Sequence, residues 1–215
     1  MPYNTKLMDQ MCELAHIYAD WGWMRGTSGG MSVADGKNVY MIATNVDKRL
    51  MIPDDIVVLG RDGKINLWGK GRKPSSSSNV FLAIHELGGN AVIHPHDIDS
   101  YSIGILCDKE ADLSGEEMKG IGTYNRQTGK IPIIGNKPQE KDLEPDIREC
   151  IERYPESRGI IIRRHGIYVW GDTLSQAARH TECYNNVFQR MNLEHRDNVA
   201  RETLELMQEM KRRFS

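Results

Sequence analysis

Apolar residues recur among polar ones in a pattern that predicts a helix at the start of the chain. From about Asn4 to Trp21 the apolar side chains recur every three or four residues, which is the spacing of one helix face. These apolar positions are Leu7, Met8, Met11, Leu14, Ala15 and Tyr18. Asn4 or Thr5 can cap the helix, and Gly22 ends the pattern.

Short β-type runs follow this helix and predict antiparallel strands. Asp35-Gly36 separates the runs at 31–33 and 39–42, and Asp62-Gly63 separates the runs at 56–59 and 65–67. An Asp-Gly pair between two such runs is a strong hairpin signal. The first third of the chain is therefore predicted to be a helix followed by two hairpins.

The remainder mixes helical and strand patterns after a basic Gly/Ser-rich loop at 69–78. Helices are predicted at about 79–87, 101–107, 142–153, 174–191 and 198–214, and strands at 91–96, 131–134, 159–163 and 167–170. No internal repeat or linker divides the chain, so residues 1–215 are predicted to form a single domain with C-terminal helices. The expected fold class is α/β, a three-layer α/β/α arrangement around a largely antiparallel or mixed sheet.

Composition narrows the range of partners. The 215 residues carry a formal net charge of -2, and 27% of them are charged, so no global electrostatic attraction to nucleic acid or to an acidic membrane is expected. Four widely spaced cysteines without a Cys-x-x-Cys pair suit a reducing compartment. The N-terminus lacks an apolar leader segment, and a cytoplasmic location is expected.

Two apolar runs end in histidine and suggest a metal site. His94 and His96 follow one run at positions i and i+2, so on a strand they would point to the same face. His165 follows the second run and could supply a third imidazole. Three protein ligands with one open position is the pattern of catalytic zinc, although a His-x-His pair can also be a surface or core pair.

Loops rich in small and hydroxyl residues could bind an anion. The first is 26–30 (Gly26, Thr27, Ser28, Gly29 and Gly30), the second is Thr44-Asn45, and the third is the serine run 75–78. Their backbone N–H groups and hydroxyls can approach a phosphate closely. Turns and helix caps are the alternative explanation, since neither a P-loop nor a dinucleotide-binding spacing is present.

An acidic pair, Glu116-Glu117, lies between the two histidine runs. A carboxylate beside a metal could transfer protons, and a solvated surface pair is the alternative.

Taken in order, these segments resemble the class II aldolase/adducin family over about residues 6–190. The matching segments are Gly22-Trp23, 26–32, Val46-Asp47-Lys48, Pro53-Asp54-Asp55, 91–96, 116–121, 132–136, 140–143 and 163–171. The last of them, with its Tyr168-Val169-Trp170-Gly171 continuation, is similar to the dehydratase branch of the family more than to its sugar-phosphate aldolases.

The resemblance implies one zinc ion per subunit, held by His94, His96 and His165, and an acid/base role for Glu116, with Glu117 as the fallback. It places Ser77 in contact with substrate and the 26–30 loop, Thr44, Asn45, Ser75 and Ser76 around a phosphate. It implies zinc-dependent dehydration of 5-methylthioribulose 1-phosphate in methionine salvage, and a homotetramer. Aldol cleavage of another sugar phosphate and a non-catalytic, adducin-like role are the alternatives.

Three positions depart from the family pattern. Pro95 replaces the usual threonine between the ligands, Asn45 replaces a usual glycine, and Ser77 lies where the aldolases and some dehydratases carry an acid. The missing acid makes Glu116 the expected proton carrier.

Overall fold

The computed structural model describes residues 3–67, 71–122 and 128–213, and in these ranges the chain forms one nine-stranded sheet covered by helices. Two predictions extend further: Gly69, at the start of the basic loop, and Phe214, at the end of the last helix, lie outside the described residues.

All but one of the neighbouring strand pairs in the sheet are antiparallel. The strands are β1 (Gly30–Asp35), β2 (Asn38–Ile42), β3 (Ile56–Gly60), β4 (Ile65–Leu67), β5 (Ala91–His94), β6 (Glu110–Ser114), β7 (Thr128–Ile134), β8 (Gly159–Ile162) and β9 (Gly166–Gly171). Their order is β4-β3-β2-β1-β5-β9-β8-β7-β6, and only β7 and β8 run parallel. This confirms the expected mixed sheet, and both Asp-Gly hairpins are present as β1–β2 and β3–β4.

Helices lie before, between and after the strands. They are α1 (Thr5–Asp20), α2 (Ser78–Glu86), α3 (Ile98–Leu106), α4 (Met118–Ile121), α5 (Glu144–Arg153) and α6 (Leu174–Arg213), with short 3-10 helices at Lys48–Leu50, Pro53–Asp55 and Glu140–Leu143. The Asn4 side chain accepts a hydrogen bond from the Leu7 backbone N–H at 3.1 Å, so Asn4 is the cap of α1. No helix in the described ranges combines the length and the apolar character needed to cross a bilayer.

Alternating side chains of β9 show that both faces of the sheet are covered. Tyr168 and Trp170 belong to one buried cluster, shared with residues of α2 and α5. Ile167 and Val169 belong to a second cluster, shared with residues of α3 and α6. Because successive strand residues point to opposite faces, the sheet is the middle layer of the three-layer arrangement that was expected.

Strand pairing brings the predicted site segments to one end of the sheet. β5 lies between β1 and β9, with Gly30 opposite His94 on one side and Ile93 opposite Val169 on the other. The 26–30 loop therefore meets the end of β5 and the β8–β9 turn.

The prediction that His94 and His96 share a strand face is wrong. β5 ends at His94, and His96 lies in the following loop, where its backbone N–H donates to the Trp23 carbonyl at 2.8 Å. Pro95 has no N–H to donate, so it cannot continue the ladder of hydrogen bonds.

The prediction of two C-terminal helices is also wrong, since α6 runs through both segments without a break. Residues 192–197 contain neither glycine nor proline, and exposed polar side chains sustain a solvated helix. The strand β6 was not predicted, because only Ala111 and Leu113 alternate as buried residues between polar neighbours.

Candidate active site

Three imidazoles converge at this end of the sheet. His94 ends β5, His96 follows Pro95, and His165 lies in the turn between β8 and β9. The Nε2 atom of His96 lies 3.0 Å from that of His94 and 3.1 Å from that of His165. Tetrahedral ligands at zinc–nitrogen distances of about 2.0–2.1 Å are about 3.3–3.4 Å apart. The arrangement is therefore compatible with a divalent metal ion.

Hydrogen bonds to the other ring nitrogens orient two of these imidazoles. His94 Nδ1 donates to the Ile167 carbonyl at 2.9 Å, and His165 Nδ1 donates to Asn136 Oδ1 at 3.2 Å. The Nε2 lone pairs are thus left to face the centre, as is usual for metal-binding histidines. The His94 ring also stacks on Tyr168 with a centroid distance of 3.8 Å, which fixes its plane.

A carboxylate that the sequence analysis did not assign completes the cluster. Glu140 begins the 3-10 helix before α5, and its Oε1 lies 3.6 Å from His94 Nε2 and 3.5 Å from His165 Nε2. The Ser76 hydroxyl donates to Glu140 Oε2. These four side chains form a potential metal-binding group. The available signal was the match of segment 140–143 to the family, to which no role had been given.

The charge states of the cluster suit a cation. Burial lowers the pKa of His165 to about 4, and burial together with the neighbouring imidazoles lowers the pKa of His96 to about 2. Burial acts to raise the pKa of Glu140, but its interactions with His94, Ser76 and His165 outweigh it and hold that pKa at about 2. At neutral pH, His96 and His165 are therefore neutral while Glu140 is ionised, which is the state that metal binding requires.

A cavity of 310 Å³ opens next to the cluster. Its lining comprises Thr27, Ser28, Gly29, Ala43, Thr44, Asn45, Lys48, Ser75, Ser76, Ser77, His94, His96, Glu140 and His165. Eight of the predicted substrate-binding residues are in this set, so the three loops do come together. Gly26 and Gly30 are not in it: the Gly26 carbonyl accepts from the Lys48 backbone N–H, and Gly30 is already part of β1.

Two positions in these loops need a left-handed backbone. Gly29 has a φ of +67°, and a Cβ there would lie 2.7 Å from the His94 carbonyl oxygen, so only glycine fits beside the end of β5. Asn45 has a φ of 58°, which explains why glycine is usual at this position and why asparagine replaces it at modest cost.

Glu116 lies outside this cavity. Its carboxylate is 2.7 Å from Lys119 Nζ, its side chain is 69% exposed, and neighbouring Glu117 pairs with Arg190. Among the residues that the structure describes, neither glutamate lines the cavity. The acid/base role of Glu116 stays a prediction.

Comparison with known proteins identifies relatives over most of the chain. The profile of the Class II Aldolase and Adducin N-terminal domain matches residues 9–191. A protein of Leishmania infantum named as a probable methylthioribulose-1-phosphate dehydratase is 37% identical over 185 residues, covering 80% of this chain and 81% of the relative. A methylthioribulose-1-phosphate dehydratase of Komagataella phaffii is 32% identical over 190 residues, covering 84% and 79%.

A solved structure supports the fold. An L-fuculose 1-phosphate aldolase superimposes with a TM-score of 0.76 at 18% identity, covering 90% of this chain and 88% of that chain. At this identity the likeness concerns the architecture alone.

Proposed function

Because the chain belongs to the class II aldolase and adducin family, we propose that it dehydrates 5-methylthioribulose 1-phosphate to 2,3-diketo-5-methylthiopentyl 1-phosphate in methionine salvage. The relatives named as dehydratases support the reaction, and they match four fifths or more of the chain. The observation that carries the proposal is the cluster of three imidazoles beside a cavity lined by the predicted phosphate loops.

We propose that His94, His96 and His165 hold one zinc ion and that the Glu140 carboxylate faces the same position. Nitrogen and carboxylate donors at these spacings fit zinc, and other divalent ions compete for such ligands. The ion would supply a Lewis acid that polarises the ketone of the substrate. The predicted substrate contacts of Ser77 and of the loops around it would orient the ketose phosphate.

Loss of water from this ketose requires removal of the C3 proton and protonation of the departing C4 hydroxyl; tautomerisation then gives the diketone. Two carboxylates are candidates for moving these protons. The family motif favours Glu116, and its position outside the cavity of one chain means that it must approach the substrate from elsewhere, for example from another subunit. Position favours Glu140, which is in the cavity.

Aldol cleavage is the second candidate function. The sequence has Ser77 where the aldolases carry an acid. The carboxylate of Glu140 supplies an acid at the histidine cluster instead, which favours aldol cleavage. A non-catalytic, adducin-like role has less support, because the predicted metal-binding histidines are present and converge.

Product analysis tests the proposal. Zinc-loaded protein incubated with 5-methylthioribulose 1-phosphate is expected to form the diketone without loss of carbon, and removal of the metal with a chelator should abolish the reaction. Two carbonyl fragments would instead establish the aldolase, and no turnover with a full complement of metal would contradict both enzymatic functions.

We also propose that the chain assembles as a homotetramer. Several large apolar side chains are exposed on the single chain, among them Leu50 and, on α3, Ile98 and Ile105. Association with other copies of the chain would cover such side chains. Light scattering should give four times the mass of one chain.

We propose a cytoplasmic location because the four cysteines are not paired in disulfide bonds. Cys12, Cys107, Cys150 and Cys183 are all free thiols, which a reducing compartment maintains.

A further inference from the structure

Lys48 is a buried cation at the cavity to which the sequence analysis gave no role. It begins the 3-10 helix after β2, and only 1% of its surface is exposed. Its backbone N–H donates to the Gly26 carbonyl at 3.0 Å, and its Nζ donates to the Thr27 carbonyl at 2.8 Å. Both ends of the residue are thus tied to the 26–30 loop, and the side chain forms part of the cavity wall.

No acidic side chain in the described part of the chain forms an ion pair with this lysine. No carboxylate oxygen of the described residues lies within 4.0 Å of Lys48 Nζ, and the adjacent Asp47 pairs instead with Arg49 at 2.6 Å. Glu140 is the one acidic residue among the described residues that line the cavity, and it is engaged by the histidines and Ser76. Lysine is rarely buried without an anionic partner, because removing its charge from water is costly. Burial lowers the pKa of Lys48 to about 8, and the charge of Asp47 acts in the opposite direction.

The groups around Lys48 are suited to an anion. Ser28, Thr44, Asn45 and Ser75 line the same cavity and offer hydroxyl, amide and backbone donors. A phosphate monoester needs several such donors and a positive charge. The three loops provide the donors, and Lys48 provides a cation at the same cavity.

We propose that Lys48 supplies the positive charge that binds the phosphate group of the substrate, so that the site selects a phosphate monoester over an uncharged sugar. The inference rests on the phosphorylated substrate of the proposed function. In this role Lys48 binds and positions the substrate through its phosphate and takes no part in the bonds that break.

The test compares Lys48→Met with Arg49→Met, which removes an equal charge from an exposed neighbour outside the cavity. Thermal unfolding and calorimetric titration are performed with inorganic phosphate as the probe, against sodium chloride of equal ionic strength. Phosphate should stabilise the wild type and the Arg49 variant. The Lys48→Met variant should bind phosphate at least about 10-fold more weakly, and without phosphate it should unfold at the same or a higher temperature than wild type, since it lacks the unpaired buried charge.

A second variant covers the case in which Lys48→Met does not fold. Lys48→Gln keeps a donor for the Thr27 carbonyl but has no charge, and the same loss of phosphate binding is expected. In kinetic assays, either variant should raise KM for the ketose phosphate more than it lowers kcat, as removal of a uniform binding contact does.

Unchanged phosphate affinity in the Lys48 variants would overturn the inference and assign the lysine a structural role. Diketone formation with an unchanged KM would overturn it while leaving the proposed function intact. Phosphate binding that depends on Lys48 without any diketone formation would have the opposite meaning: the phosphate site would stand and the proposed reaction would fall.

Discussion

At the scale of single residues, two glutamates have different surroundings and should respond differently to the same substitution. Glu140 faces the position where the three imidazoles meet, at 3.5–3.6 Å from two of their nitrogens. Glu116 pairs with Lys119 on the surface of the single chain. A change of carboxylate to amide keeps the size of the side chain and removes its charge.

We predict that Glu140→Gln weakens zinc binding by at least about 10-fold, because the cluster loses its one negative charge. Glu116→Gln should keep full metal content and, if Glu116 carries the proton, lose about 10²–10⁴-fold in kcat. Metal content by mass spectrometry and the absorption spectrum of the cobalt-substituted protein separate the two effects. An unchanged cobalt spectrum in Glu140→Gln would remove Glu140 from the metal environment.

The sequence was sufficient to predict most of the residues that line the cavity, but it did not indicate Lys48 and Glu140. The histidines and the glycine and serine loops have residue types that indicate their chemistry. Lys48 and Glu140 belong to common residue types, and only the folded chain shows that one is buried and that the other reaches the histidines. No local pattern carries that information.

At the scale of elements, the turn between β8 and β9 determines where His165 lies. Gly166 begins β9, and a Cβ there would overlap the backbone carbonyl of Pro95 and lie 3.2 Å from His96 Cα. The two histidine segments can therefore approach each other only because this position has no side chain.

We predict that Gly166→Ala separates these segments, which should lower zinc affinity and destabilise the fold by about 2 kcal/mol or more. Gly135→Ala is the matched control, since nothing lies within 4 Å of a Cβ at Gly135. Denaturant unfolding and metal titration of both variants measure the effects. A Gly166→Ala variant with wild-type zinc affinity would contradict the proposed packing.

Element boundaries were predicted well where the local signal was strong. Asp-Gly turns located both hairpins, and the cap at Asn4 located α1, because turn and cap chemistry is local. The continuity of α6 and the end of β5 were predicted incorrectly. Both depend on competition between neighbouring elements, which a single sequence does not display.

At the scale of the whole molecule, a buried histidine away from the cluster of three imidazoles links stability to pH. His85 on α2 is 4% exposed; its Nδ1 donates to the Gly89 carbonyl, and its Nε2 accepts from the Ser32 hydroxyl at 2.8 Å. Burial lowers its pKa from 6.5 to about 4. The bond to Nε2 requires the neutral ring, because a protonated Nε2 cannot accept, whereas the Nδ1 bond persists in either charge state.

Between about pH 6.5 and pH 4 the unfolded chain therefore binds a proton at His85 that the folded chain does not. Stability should be fully present above pH 6.5 and fall as the pH decreases towards 4, by on the order of 3 kcal/mol from this group. Compared with wild type, His85→Gln should flatten this decline, whereas His195→Gln, on an exposed turn of α6, should leave it unchanged. Urea unfolding at a series of pH values measures the slope, and equal slopes in all three proteins would contradict the assignment.

The place of β9 between β5 and β8 also matters while the protein is being synthesised. Both β1 and its partner β5 lie in the first 94 residues, but the other neighbour of β5 is a strand that begins more than seventy residues later. During that interval an apolar strand displays unpaired backbone groups, the type of edge on which aggregates grow. Nascent chains interrupted before Gly166 should accordingly depend on chaperones far more than the finished protein does.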